Sequence, residues 1–284
     1  MPDQEPLVTQ PLEPFCSGPE NSQQPVVSLM AAGQLDVAAL THRGGRRENQ
    51  DRFLLDADQT LFMVADGVGG LKEGGLAAEV GCKAIQADVA AGLPLDRAVS
   101  RASSAIAKEA TLRGMRTQMG STIVALQCVG ARLQLVWVGD SSASAFWDGA
   151  AYRLTRDHTE AAEWITHGIH TESSVGASVG TSGRRHVLTQ ALGVTPPAEL
   201  RLGRNEGALR SGEWLVLASD GVTNVLGIDD LTALIAGADD AASAAEAIMC
   251  AALDRKPSDN ATLVVAHWLG ESGAVEDLPR VYPA

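Results

Sequence analysis

The feature that most constrains this chain is a strand-length apolar run, Leu61-Phe-Met-Val-Ala65, that ends in Asp66-Gly67 and a glycine-rich turn through Gly70. Five consecutive apolar residues read as a strand buried on both faces. Such a strand delivers one carboxylate to its end. The same design recurs at Leu133 to Val138 before Gly139-Asp140-Ser141, and at Trp214 to Ala218 before Ser219-Asp220-Gly221. An inverted copy closes the series, with Pro257-Ser-Asp259-Asn260 placed before the strand Ala261 to Trp268. In an antiparallel sheet the start of one strand lies beside the end of its neighbour, so Asp66, Asp140, Asp220 and Asp259 can all reach one edge.

Carboxylates brought together this way repel. Two of them 4 Å apart do so by roughly 4 kcal/mol at an effective dielectric near 20. Protonation or a bound divalent cation relieves the repulsion, and an all-oxygen donor set suits Mg²⁺ or Mn²⁺ rather than zinc. A binuclear metal site is therefore expected.

The remaining sequence supplies a scaffold for that edge. Strands are expected at Leu35 to Leu40, Phe53 to Leu55, Ser121 to Cys128, Ser142 to Trp147 and Ala151 to Leu154, the segments from 121 to 154 forming one antiparallel meander with glycine turns. Helical spacing appears at Gly75 to Ala91, Leu95 to Arg113, Glu160 to His167, Asp230 to Ala236 and Ala241 to Leu253. Helices of this kind cover sheet faces. Residues 1–34, rich in Pro and Gln, read as a disordered tail, the folded domain as 35–270, and 271–284 as a second loose tail. His167 and His170 have helical spacing for metal ligands, but no carboxylate pattern completes a zinc site, so they read as surface residues of a mobile loop.

Charge narrows the partners. With 22 basic and 35 acidic residues the net charge is −13, which argues against nucleic acid or an anionic membrane surface. No signal peptide or membrane span is recognised, so the protein is expected to be cytoplasmic. The four scattered cysteines read as reduced thiols. Arg43, Arg46 and Arg47 are concentrated before Asn49-Gln50-Asp51 in this acidic chain, and an arginine fork matches phosphate or carboxylate.

Taken in order, Arg46-Arg-Glu-Asn-Gln-Asp51, Ala65-Asp-Gly-Val-Gly-Gly70, Gly120-Ser-Thr122, Gly139-Asp-Ser141, Leu154-Thr-Arg-Asp-His-Thr159, Leu188-Thr-Gln-Ala-Leu-Gly193, Ser219-Asp-Gly221 and Ser258-Asp-Asn260 resemble the bacterial form of the metal-dependent serine/threonine protein phosphatases of type 2C. The resemblance spans about residues 36 to 268. It implies an α+β fold, a four-layer αββα sandwich of two antiparallel sheets flanked by helices, with the metal site at one edge. By that similarity Asp66 bridges two divalent cations, Mn²⁺ or Mg²⁺, and the Gly67 carbonyl binds one of them. Asp220 and Asp259 complete the other, and Asp51 holds the second metal through water. Asp140 with Asp220 provides a weaker third site, and Arg46 binds the substrate phosphate.

The implied activity is hydrolysis of phosphoserine and phosphothreonine by a metal-activated water. The implied partners are phosphorylated proteins, among them a bacterial Ser/Thr kinase and its substrates, and the protein is expected to be a monomer. Two alternatives share the scaffold: a phosphatase of anti-sigma-factor antagonists, and an inactive phosphoprotein-binding module. Departures from the family pattern are Val68, where some members carry a histidine proposed as general acid, and Gln190 and Asn224 in place of the commoner Arg and Asp. His42 is a distant second candidate for the acid. The segment of about 160–187 corresponds to the family's variable flap.

Overall fold

The computed structural model describes residues 26–68, 73–115, 118–166 and 187–272. Among these residues eleven strands form two antiparallel sheets. The first orders β1 (Val27–Ala31), β2 (Leu35–His42), β11 (Ala261–Trp268), β10 (Trp214–Ala218), β7 (Ser142–Trp147) and β8 (Ala150–Arg153). The second orders β3 (Arg52–Asp56), β4 (Leu61–Ala65), β5 (Ile123–Val129), β6 (Arg132–Val138) and β9 (Gly203–Ala208).

Alternation of side chains along each strand builds three apolar layers from these sheets. Phe62 and Val64 of β4 point between the sheets, where they meet Val37 and Ala39 of β2 and Val264 and Ala266 of β11. Leu61, Met63 and Ala65 point the other way, onto α1 (Gly74–Ala90) and α2 (Leu95–Leu112). On the far side, Leu40, Leu263 and Val265 pack under α5 (Ile228–Ala236) and α6 (Ala241–Asp254). Strands covered on both faces have to be largely apolar, which is why β4, β10 and 263–266 of β11 read as unbroken runs. α6 is held at its start by Asp240, whose Oδ1 accepts the Ser243 N–H at 2.7 Å. Among the described residues there are also two short helices, α3 (Glu160–Thr166) and α4 (Asp220–Thr223).

The expected four-layer sandwich is present, with three local corrections. The meander expected from 121 to 154 is divided: β5 and β6 pair in one sheet, whereas β7 and β8 pair in the other. A run of short strands carries no signal of which sheet each joins, and the crossing falls at Gly139-Asp140-Ser141. The sheet begins at Val27 rather than Leu35, because β1 pairs along β2 from Val27↔Ala39 to Ala31↔Leu35 within the segment assigned to the tail. Strand β9 escaped notice since Gly203-Arg-Asn-Glu-Gly-Ala208 is polar; it is an edge strand completed only by pairing with β6.

Cys250 is disulfide-bonded, against the expectation of four reduced thiols, while Cys82 and Cys128 are free and buried. Among the described residues no helix is long and apolar enough to cross a membrane. Most of the expected tails, Gly69 and Gly70, the greater part of the flap, and His167, His170 and His186 lie outside the described residues.

Candidate metal centre

Five aspartates from both sheets meet at one edge of the sandwich. Asp51 immediately precedes β3 and Asp66 immediately follows β4, and the pairing Arg52↔Ala65 sets them side by side. Asp140 stands at the crossing from β6 to β7, Asp220 opens α4 after β10, and Asp259 stands two residues before β11. The register Ala218↔Leu263 together with Ser142↔Ala218 brings these last three to the same end of the first sheet.

The backbone at Asp66 is fixed from the neighbouring strand end. Its N–H donates to Thr122 Oγ1 at 3.0 Å, and its carbonyl accepts from Thr122 N at 2.8 Å and Ser121 Oγ at 3.0 Å. Gly67 then passes against the start of α1 so closely that a Cβ there would lie 2.3 Å from the Gly74 carbonyl carbon. Only glycine permits that approach. The Gly67 N–H donates to the Gln50 carbonyl at 3.3 Å, which links the turn to the loop that carries Asp51.

Asp51 is 2% exposed. Its Oδ2 accepts the Ser219 hydroxyl at 2.8 Å, whereas its Oδ1 is buried with no hydrogen-bond partner. The Ser219 oxygen also accepts the Thr262 N–H at 3.0 Å, and the Thr262 hydroxyl meets Thr41 Oγ1 at 2.6 Å. Asn49 Nδ2 donates to that same Thr41 oxygen at 2.8 Å. A chain of neutral hydroxyls thus orients a buried carboxylate without cancelling its charge.

Electrostatics follow from the crowding. Burial, opposed in part by hydroxyl hydrogen bonds and reinforced by Asp220, pushes the Asp51 carboxyl up to about 6. Asp66 is held well above the ordinary carboxylate range by burial and by the charges of Asp51, Asp220, Asp140 and Asp259. Burial and Asp220 push Asp140 up to about 7. These groups disfavour being charged together unless a cation joins them.

The donor set fits hard cations. It is all oxygen, it places an orphaned buried carboxylate oxygen on Asp51, and its members repel one another. Among the described residues no three His, Cys, Asp or Glu side chains form a ready-made cage, so the fit rests on that chemistry rather than on a preformed coordination shell.

Arg46 Nη2 lies 2.6 Å from Asp259 Oδ2, their side chains 50% and 31% exposed. The guanidinium is raised above its usual value by that hydrogen bond and charge, with smaller contributions from Asp66 and Asp220. The expected phosphate-binding arginine and an expected metal ligand are therefore partners in one ion pair. Asn260 secures the loop behind them: its Nδ2 donates to the carbonyls of Arg43 and Glu48 at 2.8 and 2.9 Å, and its Oδ1 accepts Gln50 N–H at 2.8 Å.

The family departures have local partners. Asn224 donates to Asp220 Oδ2 at 3.1 Å, and buried Gln190 accepts the Arg201 N–H at 2.9 Å. His42 Nδ1 accepts the Gly44 N–H at 3.0 Å, which in the neutral ring leaves the proton on Nε2. Sequence reasoning singled out the aspartates but assigned no role to Ser219, Thr262, Thr41 or Asn260. The only available signal was their place inside or beside the aspartate motifs.

The family described as protein phosphatase 2C matches residues 40–255. The chain is 30% identical over 242 residues to the serine/threonine protein phosphatase PstP of Mycobacterium tuberculosis, spanning 82% of this chain and 45% of that longer protein. It is 25% identical over 211 residues to the protein phosphatase PhpP of Streptococcus pneumoniae, covering 68% of this chain and 80% of that one. The solved catalytic domain of PstP in complex with two manganese ions superposes with a TM-score of 0.70 at 28% identity, over 84% of this chain and 99% of that one.

Proposed function

Since this chain belongs to the protein phosphatase 2C family of metal-dependent phosphoprotein phosphatases, we propose that it hydrolyses phosphoserine and phosphothreonine in proteins by direct attack of water at a binuclear Mn²⁺ or Mg²⁺ centre. The observation that carries the reading is the meeting of five aspartates from two sheets beside Arg46. Asp66, the Gly67 carbonyl, Asp220 and Asp259 would hold the two ions, Asp51 would hold one of them through water, and Asp140 with Asp220 would hold a weaker third.

Bound there, the cations supply charge neutralisation for the phosphate dianion and lower the pKa of the attacking water. The chain's own residues do the rest. Ser219 keeps Asp51 Oδ2 occupied and its Oδ1 available. Half-exposed Arg46 exchanges its partner Asp259 for phosphate oxygens, which its planar fork binds in a bidentate manner. Asn260 holds the loop that carries Arg46 in reach of the site.

No covalent phosphoenzyme is needed. The Cys82 and Cys128 thiols are buried and pushed up to about 12, so neither is a thiolate nucleophile at neutral pH. Val68 beside Gly67 offers no proton for the leaving alkoxide; a water held by the metals would supply it, with His42 a distant second candidate.

The relatives are named as a serine/threonine protein phosphatase, PstP, and a protein phosphatase, PhpP, which favours this reading over a phosphatase of anti-sigma-factor antagonists or an inactive binding module. A cytoplasmic Ser/Thr kinase and its substrates are the proposed partners. Manganese-dependent turnover of p-nitrophenyl phosphate and of a phosphothreonine peptide, abolished in Asp66→Asn, is the expected result. A well-folded protein inactive with Mn²⁺ and Mg²⁺ would overturn the enzymatic reading. Unchanged phosphothreonine levels in a deletion strain would overturn the kinase-opposing role.

A further inference from the structure

On the flank formed by the first turn of α2 and the segment entering β9 lies a cavity of about 300 Å³ whose lining includes Arg97, Arg201 and Arg204. Three guanidiniums around one cavity stand out in a chain of net charge −13. Two of them are held in place by acids: Arg201 by Glu163 of α3 at 2.8 Å, and Arg204 by Asp96 at 3.2 Å. Each of those contacts occupies one of five N–H donors, so both forks retain donors for a further anion. The Arg97 guanidinium has no ion pair among the described residues. Three positive groups against two negative ones leave the cavity locally positive.

Its stability value alone does not account for this arrangement, because exposed ion pairs contribute about 0 to 1 kcal/mol each. The floor is apolar: Leu200 and Leu202 are partly buried and packed against the layer between α1, α2 and the second sheet. Arginines over an apolar floor suit the anionic side chain of a polypeptide, whose head pairs with the guanidiniums while its stem and backbone cover the leucines. The cavity is also linked to the metal edge. Arg201 reaches α3 through Glu163, α3 begins two residues after His158, and the His158 N–H donates to the Gly139 carbonyl, next to Asp140, at 2.9 Å.

Resting on the phosphatase reading, we propose that this cavity is a substrate subsite that binds acidic residues flanking the phosphorylated position of the target protein, with Arg97 as the cation that has no ion pair among the described residues. An acidic catalytic face repels acidic substrates, and a positive subsite beside it supplies both orientation and selectivity.

The test compares two phosphothreonine peptides, one flanked by glutamates and one by glutamines, on the full chain with Mn²⁺. The glutamate peptide is expected to show a KM about 3- to 10-fold lower, a gap that shrinks with salt. Arg97→Glu is expected to abolish the gap, Arg97→Lys to retain most of it, and both to leave kcat and p-nitrophenyl phosphate turnover unchanged. Equal KM values for the two peptides, or a preference that survives Arg97→Glu, overturns the subsite while leaving the phosphatase reading intact. If the wild type turns over neither peptide, the phosphatase reading fails. The subsite is then decided by fluorescence anisotropy of an unphosphorylated glutamate-rich peptide: binding lost in Arg97→Glu supports it, and binding absent or unaltered overturns it. Competition by inorganic phosphate, with the glutamate- and glutamine-flanked peptides bound equally, also overturns it by reducing the cavity to an anion site.

Discussion

The Ser219 hydroxyl donates to Asp51 Oδ2 at 2.8 Å, across 168 residues of sequence, and leaves the other oxygen of that buried carboxylate without a partner. Ser219→Ala removes the group that orients the carboxylate, and loss of such supporting hydrogen bonds lowers metal affinity by roughly 10- to 100-fold. Calorimetric titration of Mn²⁺ into the metal-free protein should show this drop, and Ser219→Thr should recover most of the affinity. Unaltered affinity in Ser219→Ala would show that Asp51 needs no such orientation.

Metal-free protein should lose stability as pH rises. Asp51 and Asp140 are raised from 3.8 to about 6 and about 7 in the folded chain, so the fold prefers their neutral forms. The favourable condition is complete below about pH 4 and is lost as pH passes through 6 and 7, by about 3 kcal/mol for Asp51. In EDTA the melting temperature should therefore fall from pH 5 to pH 8 over this window. With millimolar Mn²⁺ the trend should reverse, because cations bind the ionised carboxylates. A metal-free protein whose Tm climbs from pH 5 to pH 8 would contradict the burial argument.

Asn260→Ala should weaken substrate handling more than metal binding. It removes three hydrogen bonds that hold the loop of Arg46, at roughly 1 kcal/mol each. The expectation is a several-fold rise in KM for a phosphopeptide and a Tm lowered by several degrees, with Mn²⁺ affinity nearly preserved. An unchanged KM in the folded variant would detach Asn260 from Arg46.

Gly221→Ala should be among the most damaging small substitutions. A Cβ at that position would lie 1.8 Å from the Asn260 carbonyl oxygen, which is backbone and cannot swing aside. The loops carrying Asp220 and Asp259 would have to separate. Loss of several kcal/mol in chemical denaturation is expected, and a variant within 0.5 kcal/mol of wild type would refute the close packing.

The sequence by itself determined the strands and the carboxylates they deliver. Apolar runs at β4, at β10 and at 263–266 of β11 are local signals, since a strand covered on both faces must be largely apolar, and the aspartates beside them needed no partner to be seen. Helices α1, α2 and α6 were legible for the same reason, because periodicity lies within one segment. Tertiary structure alone decided what depends on distant residues. It divided the strands from 121 to 154 between two sheets and completed the edge strands β1 and β9, whose own residues are too polar or too short to declare themselves. It also joined Arg46 to Asp259 across 213 residues, and Ser219 to Asp51 across 168. Such contacts are set by register and by the packing of one sheet on the other, and no window of sequence contains both partners.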